Sequence, residues 1–553
     1  MCVLVPFALI AEPSIAAEPT MPASALVAGM QCTAKTVIRG TDITTFNVEI
    51  VDVVGSGVDG RILGRASGPA VDSTGVAQGF SGSPVYCPVA GGGTAIAGAI
   101  SEATGDYGNL LILITPIDTM LAEPRTDSTT ASASSLSTPL MVSGINGPLA
   151  TKLQAIAKKA GANLVFTAGA PRRALDAGGP TLEPGASVAA SFSTGAVAVG
   201  AVGTVTYVDG NRVWAFGHPY EGVGPRSLFM QSAWVHAVVG NPLTLEGATP
   251  YKLASTLGTI GSITDDRPSA VIGQIGTEPR ATTLNVGVRN RKTNALTAQT
   301  TLVADEAPLR GSTSGALQLV APMAVMKAVV DALHGSPNQL SARMCTRVWI
   351  QGQKKPITIC NRYVGASATS PGGAMPNDVM TALSQVAGYK FAPLIVRRVD
   401  VQIHLSESVG YANIRRVRVV PSNPRRGQRV TVRVESVLAG TSTKVVRTHR
   451  IRIPRSAQAG PTLLKVRGTS PDVESSNALE ETLNVLFGGD SGGDTEEPQP
   501  PRTVAELREE VRKGQRDDRA RISLGSNRWL VPLRNNADLR LSGSAEAFLT
   551  IRR

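Results

Sequence analysis

Histidine, cysteine and aromatic residues are scarce in this chain of 553 residues. It contains five histidines, five cysteines and only 4% Phe, Trp and Tyr. No apolar run reaches the ~20 residues that a membrane-spanning helix needs, and no cysteines have the CxxC spacing or the neighbouring histidines of a zinc site. We therefore expect no transmembrane span, no metal site and no organic cofactor.

Glycine, by contrast, is abundant, and it punctuates many short runs of Val, Ile and Thr. There are 57 glycines and 36 prolines. Short β-branched runs between Gly, Pro and Asp are typical of strands, and a chain of this length holds several domains. We expect a mainly β protein with a few helices, among them 147–159, 323–334, 377–386 and 503–513, and a hairpin at Asp209-Gly210.

The formal net charge is +12, and the excess lies largely in an arginine-rich region between residues 397 and 455. A basic balance can indicate nucleic acid or an anionic surface. Here the arginines alternate within strand patterns such as 416–420, with few aromatics to stack on bases. We therefore expect solvated strand faces rather than nucleic-acid binding.

Residues 1–17 resemble the end of a secretory signal. A short apolar core is followed by the small residues at 14–17, which suit cleavage, although the basic start of such a signal is missing. An ordinary N-terminal segment is the alternative. A signal would predict an extracytoplasmic protein.

The cysteines agree with export. Cys2 falls in the signal-like segment, and the other four form an even set that allows two disulfides, namely Cys32, Cys87, Cys345 and Cys360. The last two flank a hairpin-like stretch, and the first two would tie the start of a strand region to a strand after Ser81. Four buried free thiols are the alternative.

The stretch GVAQGFSGSPVYC, residues 75–87, places Ser81 between glycines at a turn that enters a strand. A nucleophilic hydroxyl must stand clear of its backbone, with N–H groups converging on the developing oxyanion. The N–H groups of Gly79 and Ser81 are the candidates for that role. Ser83, which precedes a proline, is expected to pack beside the site. A Gly/Ser-rich hairpin turn is the alternative interpretation.

A general base must reach such a nucleophile. His218 lies between Gly217 and Pro219 at a strand end, where a ring can face a cleft. We expect structural roles for the remaining histidines, which are His236, His334, His404 and His449. A second serine motif, GDSGG at 489–493, opens an acidic, Pro-rich stretch, and we interpret it as a linker.

Five blocks of sequence around these residues resemble the SpoIVB-type serine peptidases, the sporulation signalling proteases and their wider bacterial relatives. The blocks are TVIRGTDITTFNVEIVDVV (36–54), TGVAQGFSGSPVY (74–86), ITPIDTML (114–121), GTVTYVDGNRVWAFGHP (203–219) and PYKLASTLGTIGSITDDRPSAVIGQIG (250–276). The resemblance implies a chymotrypsin-like double β-barrel and serine endopeptidase activity outside the cytoplasm. It maps the nucleophile onto Ser81 and the general base onto His218.

Two departures from the family pattern stand out. The Ser block precedes the His block, as if the halves were permuted, although triad chemistry does not depend on chain order. The acidic triad position falls near Ser67-Gly68, where neither residue is acidic. Asp72 is the nearest candidate, with a turn cap as its structural alternative. Asp265 and Asp266 are further candidates.

With no acidic residue to orient His218, the site would be a Ser–His dyad or an inactivated relative. From the Ser81 and His218 blocks and the signal-like segment, the expected function is an exported endopeptidase that acts on a protein or peptide. The alternative is a catalytically inactive envelope protein that binds or scaffolds. The C-terminal β domain is the candidate surface for a substrate or an envelope partner.

The predicted fold is a mainly β, chymotrypsin-like double β-barrel, followed by a β-sandwich-like accessory domain and a small C-terminal α+β module. The expected order is a signal-like segment 1–20, a Ser-bearing barrel half 21–123, a Ser/Thr-rich linker 124–140, a His-bearing barrel half 141–280, a mixed α/β region 281–395, the accessory domain 396–485, an acidic linker 486–502 and the module 503–553.

Overall fold

A computed structural model gives the fold. It describes residues 17–55, 60–103, 110–122, 139–169, 180–240, 250–310, 315–333, 340–365, 371–408, 410–468, 500–513, 519–532 and 539–553. The expected linker 124–140 and the GDSGG motif lie almost wholly or wholly outside these residues, as do most of the signal-like segment and most of the acidic linker. The protein is mainly β, with 55% strand and 15% helix, as predicted. Among the described residues, no helix has the length and apolar composition to cross a membrane.

The chain forms two compact units. The first comprises Met1–Ile145, Asn163–Thr194 and Ala198–Arg280, and the second comprises Asn146–Ala162, Gly195–Val197 and Ala281–Arg553. The Ser81 and His218 segments both belong to the first unit.

A closed six-stranded barrel forms the start of the first unit, in the order β1-β2-β3-β6-β5-β4. Its strands are β1 (Gln31–Arg39), β2 (Asp42–Val54), β3 (Arg61–Ser67), β4 (Pro84–Pro88), β5 (Thr94–Ala103) and β6 (Leu111–Pro116). A 3-10 turn, Ala23–Ala25, precedes β1, and helix α1 (Ile117–Leu121) follows β6. The alternation in β2 buries Phe46, Val48 and Ile50, as expected for a strand with one face on the core. The Cys32–Cys87 disulfide joins β1 to β4, which confirms that predicted pair.

The remaining strands of the first unit are β7 (Leu140–Ser143), β8 (Leu164–Thr167), β9 (Ser187–Gly195), β10 (Ala198–Asp209), β11 (Arg212–Ala215), β12 (Gly224–Val239), β13 (Tyr251–Arg267) and β14 (Ala270–Ile275). Six of them pair in an unbroken cycle, β9-β12-β13-β14-β11-β10 and back to β9. Strands β7 and β8 extend from β10. The predicted hairpin at Asp209-Gly210 joins β10 to β11.

The second unit contains the sheet β18-β17-β19-β15-β16 and most of the helices. Its strands are β15 (Ala281–Asn290), β16 (Leu296–Ala304), β17 (Leu340–Ile350), β18 (Ile357–Gly365) and β19 (Val396–Ser406). Its helices are α2 (Gly147–Lys159), α3 (Ala307–Arg310), α4 (Gly315–Asp331), α5 (Pro371–Ala387) and α6 (Val504–Lys513). The Cys345–Cys360 disulfide links directly opposed residues of β17 and β18, which confirms the second predicted pair.

Two four-stranded sheets complete the second unit, in the orders β22-β21-β20-β26 and β25-β24-β23-β27. Their strands are β20 (Tyr411–Val420), β21 (Arg429–Leu438), β22 (Lys444–Arg452), β23 (Gly460–Arg467), β24 (Arg519–Leu524), β25 (Asn527–Pro532), β26 (Arg540–Ser542) and β27 (Ser544–Ile551). The inward residues of both sheets form one apolar core, as in a β-sandwich.

The sandwich differs from the expected accessory domain in two respects. Strand β19 was expected to be the first strand of the accessory domain. It pairs in parallel with β15 and so belongs to the sheet β18-β17-β19-β15-β16. The strands after residue 518 pair with β23 and β20, so they belong to the sandwich rather than to a separate C-terminal module. Residues 469–499 lie between β23 and these later strands in the chain, so the local sequence pattern could not indicate that they pair.

Candidate active site

The turn that carries Ser81 can be built only with glycine at two positions. Gly79 has φ +91° and Gly82 has φ +93°, in the left-handed region that other residues rarely adopt. A Cβ on Gly82 would also lie 1.9 Å from the carbonyl oxygen of Thr204. Phe80 lies between them, fully buried and edge-on to Phe46 of β2. The apolar ring therefore anchors the turn while the glycines let its backbone pass close to β10.

Backbone hydrogen bonds leave two N–H groups of the turn unused. Phe80 N–H donates to the Ala77 oxygen, Gly82 N–H to Ile100 and Ser83 N–H to Phe80, over 3.0, 2.7 and 2.9 Å. The N–H groups of Gly79 and Ser81 donate to no other described residue. These are the two donors that the sequence singled out for an oxyanion.

The Ser81 hydroxyl is likewise uncommitted. Its Oγ makes no hydrogen bond with any described residue, and the residue is 9% exposed. Ser83 Oγ also has no partner among the described residues, and both hydroxyl oxygens are buried, but Ser83 as a whole is 0% exposed. A buried hydroxyl without a partner is uncommon, and Ser81 and Ser83 place two such hydroxyls at this turn.

His218 follows an abrupt change of chain direction after β11. Phe216 and Gly217 have φ values of +68° and +69°, and a positive φ is uncommon for a bulky residue such as Phe. The hydroxyl of Thr115 donates to the Gly217 oxygen over 2.6 Å, and the Phe216 ring stands perpendicular to the His218 ring at 6.1 Å. The backbone and the ring are therefore both held in place.

The His218 ring is oriented by a backbone carbonyl. Its Nδ1 lies 2.7 Å from the oxygen of Pro219, and since a carbonyl only accepts, Nδ1 carries the hydrogen and Nε2 keeps a lone pair in the neutral ring. Burial lowers the pKa of His218 below its ordinary value, against the smaller raising effects of the Pro219 bond, Glu102 and Asp266. Burial of the imidazole, which is 8% exposed, therefore favours its neutral form.

The Ser81 turn and the His218 segment are brought together by two shared neighbours. Thr204 donates its N–H to the Ser81 oxygen over 2.8 Å and accepts the Phe216 N–H over 3.2 Å. On the other side, the Ile100 oxygen accepts the Gly82 N–H and lies 3.2 Å from the position of a Cβ on Gly217. Both segments, far apart in sequence, therefore lie against the same residues of β5 and β10.

Asp266 clamps the loop that follows His218. Its Oδ1 accepts the N–H of Tyr220, and its Oδ2 accepts those of Glu221 and Gly222, all over 2.7–2.8 Å. The Arg226 guanidinium lies 3.7 Å from Oδ2, and both side chains are 1% exposed. The carboxylate thus fixes the residues directly after Pro219, whose carbonyl orients the ring.

The other acidic candidates lie elsewhere. Asp72 is exposed and accepts the Gly68 N–H over 2.7 Å, as a turn cap does, and it is not among the charges that shift the pKa of His218. Asp265 pairs with Arg267 over 2.7 Å. Neither has a hydrogen bond to the His218 ring among those described, so the capping interpretation of Asp72 has the better structural support.

Lys252 is a further site residue that the sequence analysis did not single out. It belongs to β13, is 1% exposed, and its Nζ donates to the hydroxyls of Thr36 and Thr204 over 2.8 and 3.1 Å. Its carbon chain lies 3.1 Å from the position of a Cβ on Gly79. The available signal was a lysine inside the strand pattern PYKLASTLG, where a charge interrupts an apolar alternation.

No group of three or more His, Cys, Asp or Glu among the described residues could hold a metal ion. Of the histidines expected to be structural, His236 contacts the Ser255 hydroxyl through Nε2, over 2.9 Å, and His334 lies outside the described residues. No protein-family model, curated protein or solved structure matches the chain.

Proposed function

We propose that this protein is an exported serine endopeptidase in which Ser81 is the nucleophile and His218 the general base. The observation that carries the proposal is the turn itself. An unpartnered serine hydroxyl and two N–H groups that no described residue uses belong to one turn, and the backbone of that turn approaches the segment of a buried histidine whose pKa is lowered. These are the groups that acyl transfer requires.

In the first half of the reaction, Ser81 Oγ attacks the carbonyl carbon of the scissile peptide bond. A C–O bond forms, the carbonyl electron pair moves onto oxygen, and Nε2 of His218 takes the hydroxyl proton. The N–H groups of Gly79 and Ser81 donate to the oxyanion. When the electron pair returns, the C–N bond breaks and His218 delivers the proton to the leaving amine.

In the second half, water takes the place of the serine. Nε2 of His218 accepts a proton from water as the oxygen attacks the acyl carbon, and it then returns a proton to Ser81 Oγ as the ester bond breaks. The products are a carboxylic acid and the free serine, so no cofactor is consumed.

The Pro219 carbonyl takes the place of an acidic triad member in this proposal. It selects the Nδ1–H tautomer, as a carboxylate would, but a neutral carbonyl stabilises the imidazolium less than a negative charge does. Loss of the triad acid in a serine protease costs about four orders of magnitude in turnover. We therefore expect a slow enzyme, with Asp266 holding the loop in place.

The strand pairings support the finer fold assignment. A closed six-stranded barrel carries the Ser81 turn at the start of β4, and a six-strand cycle delivers His218 after β11. We propose that the two correspond to the halves of a chymotrypsin-like double barrel, in the permuted order of a SpoIVB-type relative. Export fits the two disulfides, which persist in oxidising compartments. The sandwich would contact the protein substrate or an envelope partner.

A fluorophosphonate probe tests the assignment, since it phosphonylates an activated serine. We expect the folded protein to be labelled, the Ser81→Ala variant to be silent, and the buried neighbour Ser83→Ala to be labelled as the parent is. Peptide mapping would place the adduct on Ser81. Labelling that survives Ser81→Ala, or a parent protein that does not react, would contradict the proposal.

The second candidate is a catalytically inactive envelope protein. One observation favours it, namely that no described carboxylate hydrogen-bonds to the His218 ring. Such a protein would retain a peptide ligand without cleaving it, and the probe would leave it unlabelled.

A further inference from the structure

Lys252 occupies a position that is unfavourable for a lysine. The side chain is 1% exposed, its Nζ donates to two threonine hydroxyls, and no charged group contributes to the shift of its pKa. Lysine is almost never fully buried without a charged partner, because an ammonium loses its hydration there. Burial lowers the pKa of Lys252 to about 7. A residue kept at this cost, directly beneath the Ser81 turn, suggests a role in the site.

The backbone of Lys252 fixes the first peptide plane of the turn. Its N–H donates to the Gln78 oxygen over 2.9 Å. In a trans peptide the carbonyl and the following N–H point in opposite directions. The Gly79 N–H is therefore held pointing away from the Lys252 backbone, as long as the bond to the Gln78 oxygen persists.

The side chain of Lys252 fixes the next peptide plane through an intermediary. Nζ donates to the Thr204 hydroxyl over 3.1 Å, and that hydroxyl donates to the Gly79 oxygen over 2.9 Å. Nζ also lies 4.9 Å from the centroid of the Phe80 ring, at the far side of the same peptide. A flip of either plane, which a glycine permits, would break one of these bonds.

We propose that Lys252 is a positioning residue that fixes both peptide planes flanking Gly79 and so keeps the Gly79 N–H aimed at the oxyanion. The proposal deepens the proposed peptidase function and rests on it. Lys252 is not itself the base, because its Nζ hydrogen bonds go to Thr36 and Thr204, and the Ser81 hydroxyl has no described partner.

The chain offers a matched pair of variants. Thr204→Val removes the hydroxyl that reaches Gly79, whereas Thr36→Val removes a hydroxyl that contacts the ammonium and not the turn. Both threonines are fully buried, and valine has nearly the same shape. Lys252→Met removes the ammonium, with Lys35→Met as the control at a half-buried lysine of β1.

The test is the rate of fluorophosphonate labelling at Ser81, with circular dichroism and thermal unfolding as the check on folding. Loss of one oxyanion donor costs about 10²–10³-fold. Because the ammonium reaches Gly79 through the Thr204 hydroxyl, we expect Lys252→Met and Thr204→Val each to slow labelling about 10-fold, while Thr36→Val and Lys35→Met stay within about 3-fold.

The pH profile separates this role from simple packing. Lys252 faces Thr36 on β1, Thr204 on β10 and Phe80 in the turn, none of which carries a charge at neutral pH, and burial alone shifts its pKa. The ammonium donates stronger hydrogen bonds than the neutral amine. The labelling rate of the parent should therefore decline as the pH rises through about 7, and Lys252→Met should lack that decline.

The outcomes are distinct. A folded Lys252→Met variant with the parent's rate and pH profile, or equal rates for Thr204→Val and Thr36→Val, would overturn the role of Lys252 alone. A parent protein that does not label at all would overturn the peptidase function and this inference with it.

Discussion

The Nδ1 atom of His218 lies 2.7 Å from the carbonyl oxygen of Pro219, the next residue in the chain. This short-range contact answers the question of what orients the histidine. The carboxylate of Asp266 acts one step further away, on the three N–H groups after Pro219. Asp266 was one of the sequence candidates for the acid that orients the ring. In the structure it anchors the loop directly after Pro219, whose carbonyl contacts the ring.

Replacing Asp266 should therefore affect both stability and reactivity. In Asp266→Asn, the three loop N–H groups lose a charged acceptor and the buried Arg226 guanidinium, which also pairs with Glu221, loses one of the carboxylates beside it, at a cost of about 2–3 kcal/mol. We expect a large drop in the unfolding midpoint and slower probe labelling. The control is Asp72→Asn, where loss of one exposed cap should cost about 1 kcal/mol or less and leave labelling unchanged. Equal effects of the two substitutions would contradict this assignment, and a selective loss of labelling in Asp72→Asn would restore Asp72 as the acid.

The acid side of the pH profile should belong to His218. Burial lowers its pKa below 6.5, so the imidazole is neutral at pH 7 and becomes protonated only in more acidic solution. We expect the labelling rate to rise with pH and to reach half its maximum below pH 6.5. A midpoint above pH 7 would mean that the ring is not held as described.

The same shift predicts a stability trend. As the pH falls from 6.5, the unfolded chain takes up a proton at His218 before the folded one does, so the free energy of unfolding decreases through that window. His218→Gln should show a smaller decrease. Urea unfolding at pH 5 and pH 7, for the parent and the variant, measures the difference.

Lys252 should make the folded protein more stable as the pH rises above 7. Its folded pKa is about 7, against 10.5 ordinarily, so between these values the unfolded chain binds the extra proton and stability rises with pH. Between pH 7 and pH 9 the parent should gain roughly 2 kcal/mol from this group. Lys252→Met, which has no proton to bind, should lack the gain. A parent whose stability is flat over this window would show that the ammonium is not buried.

Local sequence patterns were sufficient to predict several of the strands and turns. The alternation of Phe46, Val48 and Ile50 defined one face of β2, and Asp209-Gly210 defined a hairpin. Cysteine number and spacing led to both disulfides. Each of these features depends on residues close together in sequence, or on a chemistry that tolerates few partners.

What pattern could not provide is the set of contacts between distant segments. The strand β19 looked like a sandwich strand, but its partner β15 lies more than a hundred residues earlier. Thr204 joins the Ser81 turn to Phe216, but it is one of several threonines in an apolar run, and nothing in the neighbouring sequence distinguishes it. The positive φ of Phe216 likewise depends on packing around it, because no sequence rule favours that conformation for a bulky residue.

The close approach of the Ser81 turn to β10 gives the sharpest structural test. A Cβ on Gly82 would lie 1.9 Å from the Thr204 oxygen and 2.5 Å from the Phe216 nitrogen, both backbone atoms that cannot move independently. We expect Gly82→Ala to lose more than about 3 kcal/mol, or not to fold, since it combines an unfavourable φ with backbone overlap.

The matched control for that substitution is Gly92→Ala, in the turn between β4 and β5. Its φ of +98° is nearly that of Gly82, but no atom lies within 4 Å of the added Cβ. The backbone term alone should therefore cost about 1–2 kcal/mol. The difference between the unfolding midpoints of the two variants measures the steric overlap at Gly82, because both variants share the cost of a non-glycine residue at positive φ. Similar midpoints would mean that the Ser81 turn does not lie against Thr204, and the link between Ser81 and the His218 segment would be lost with it.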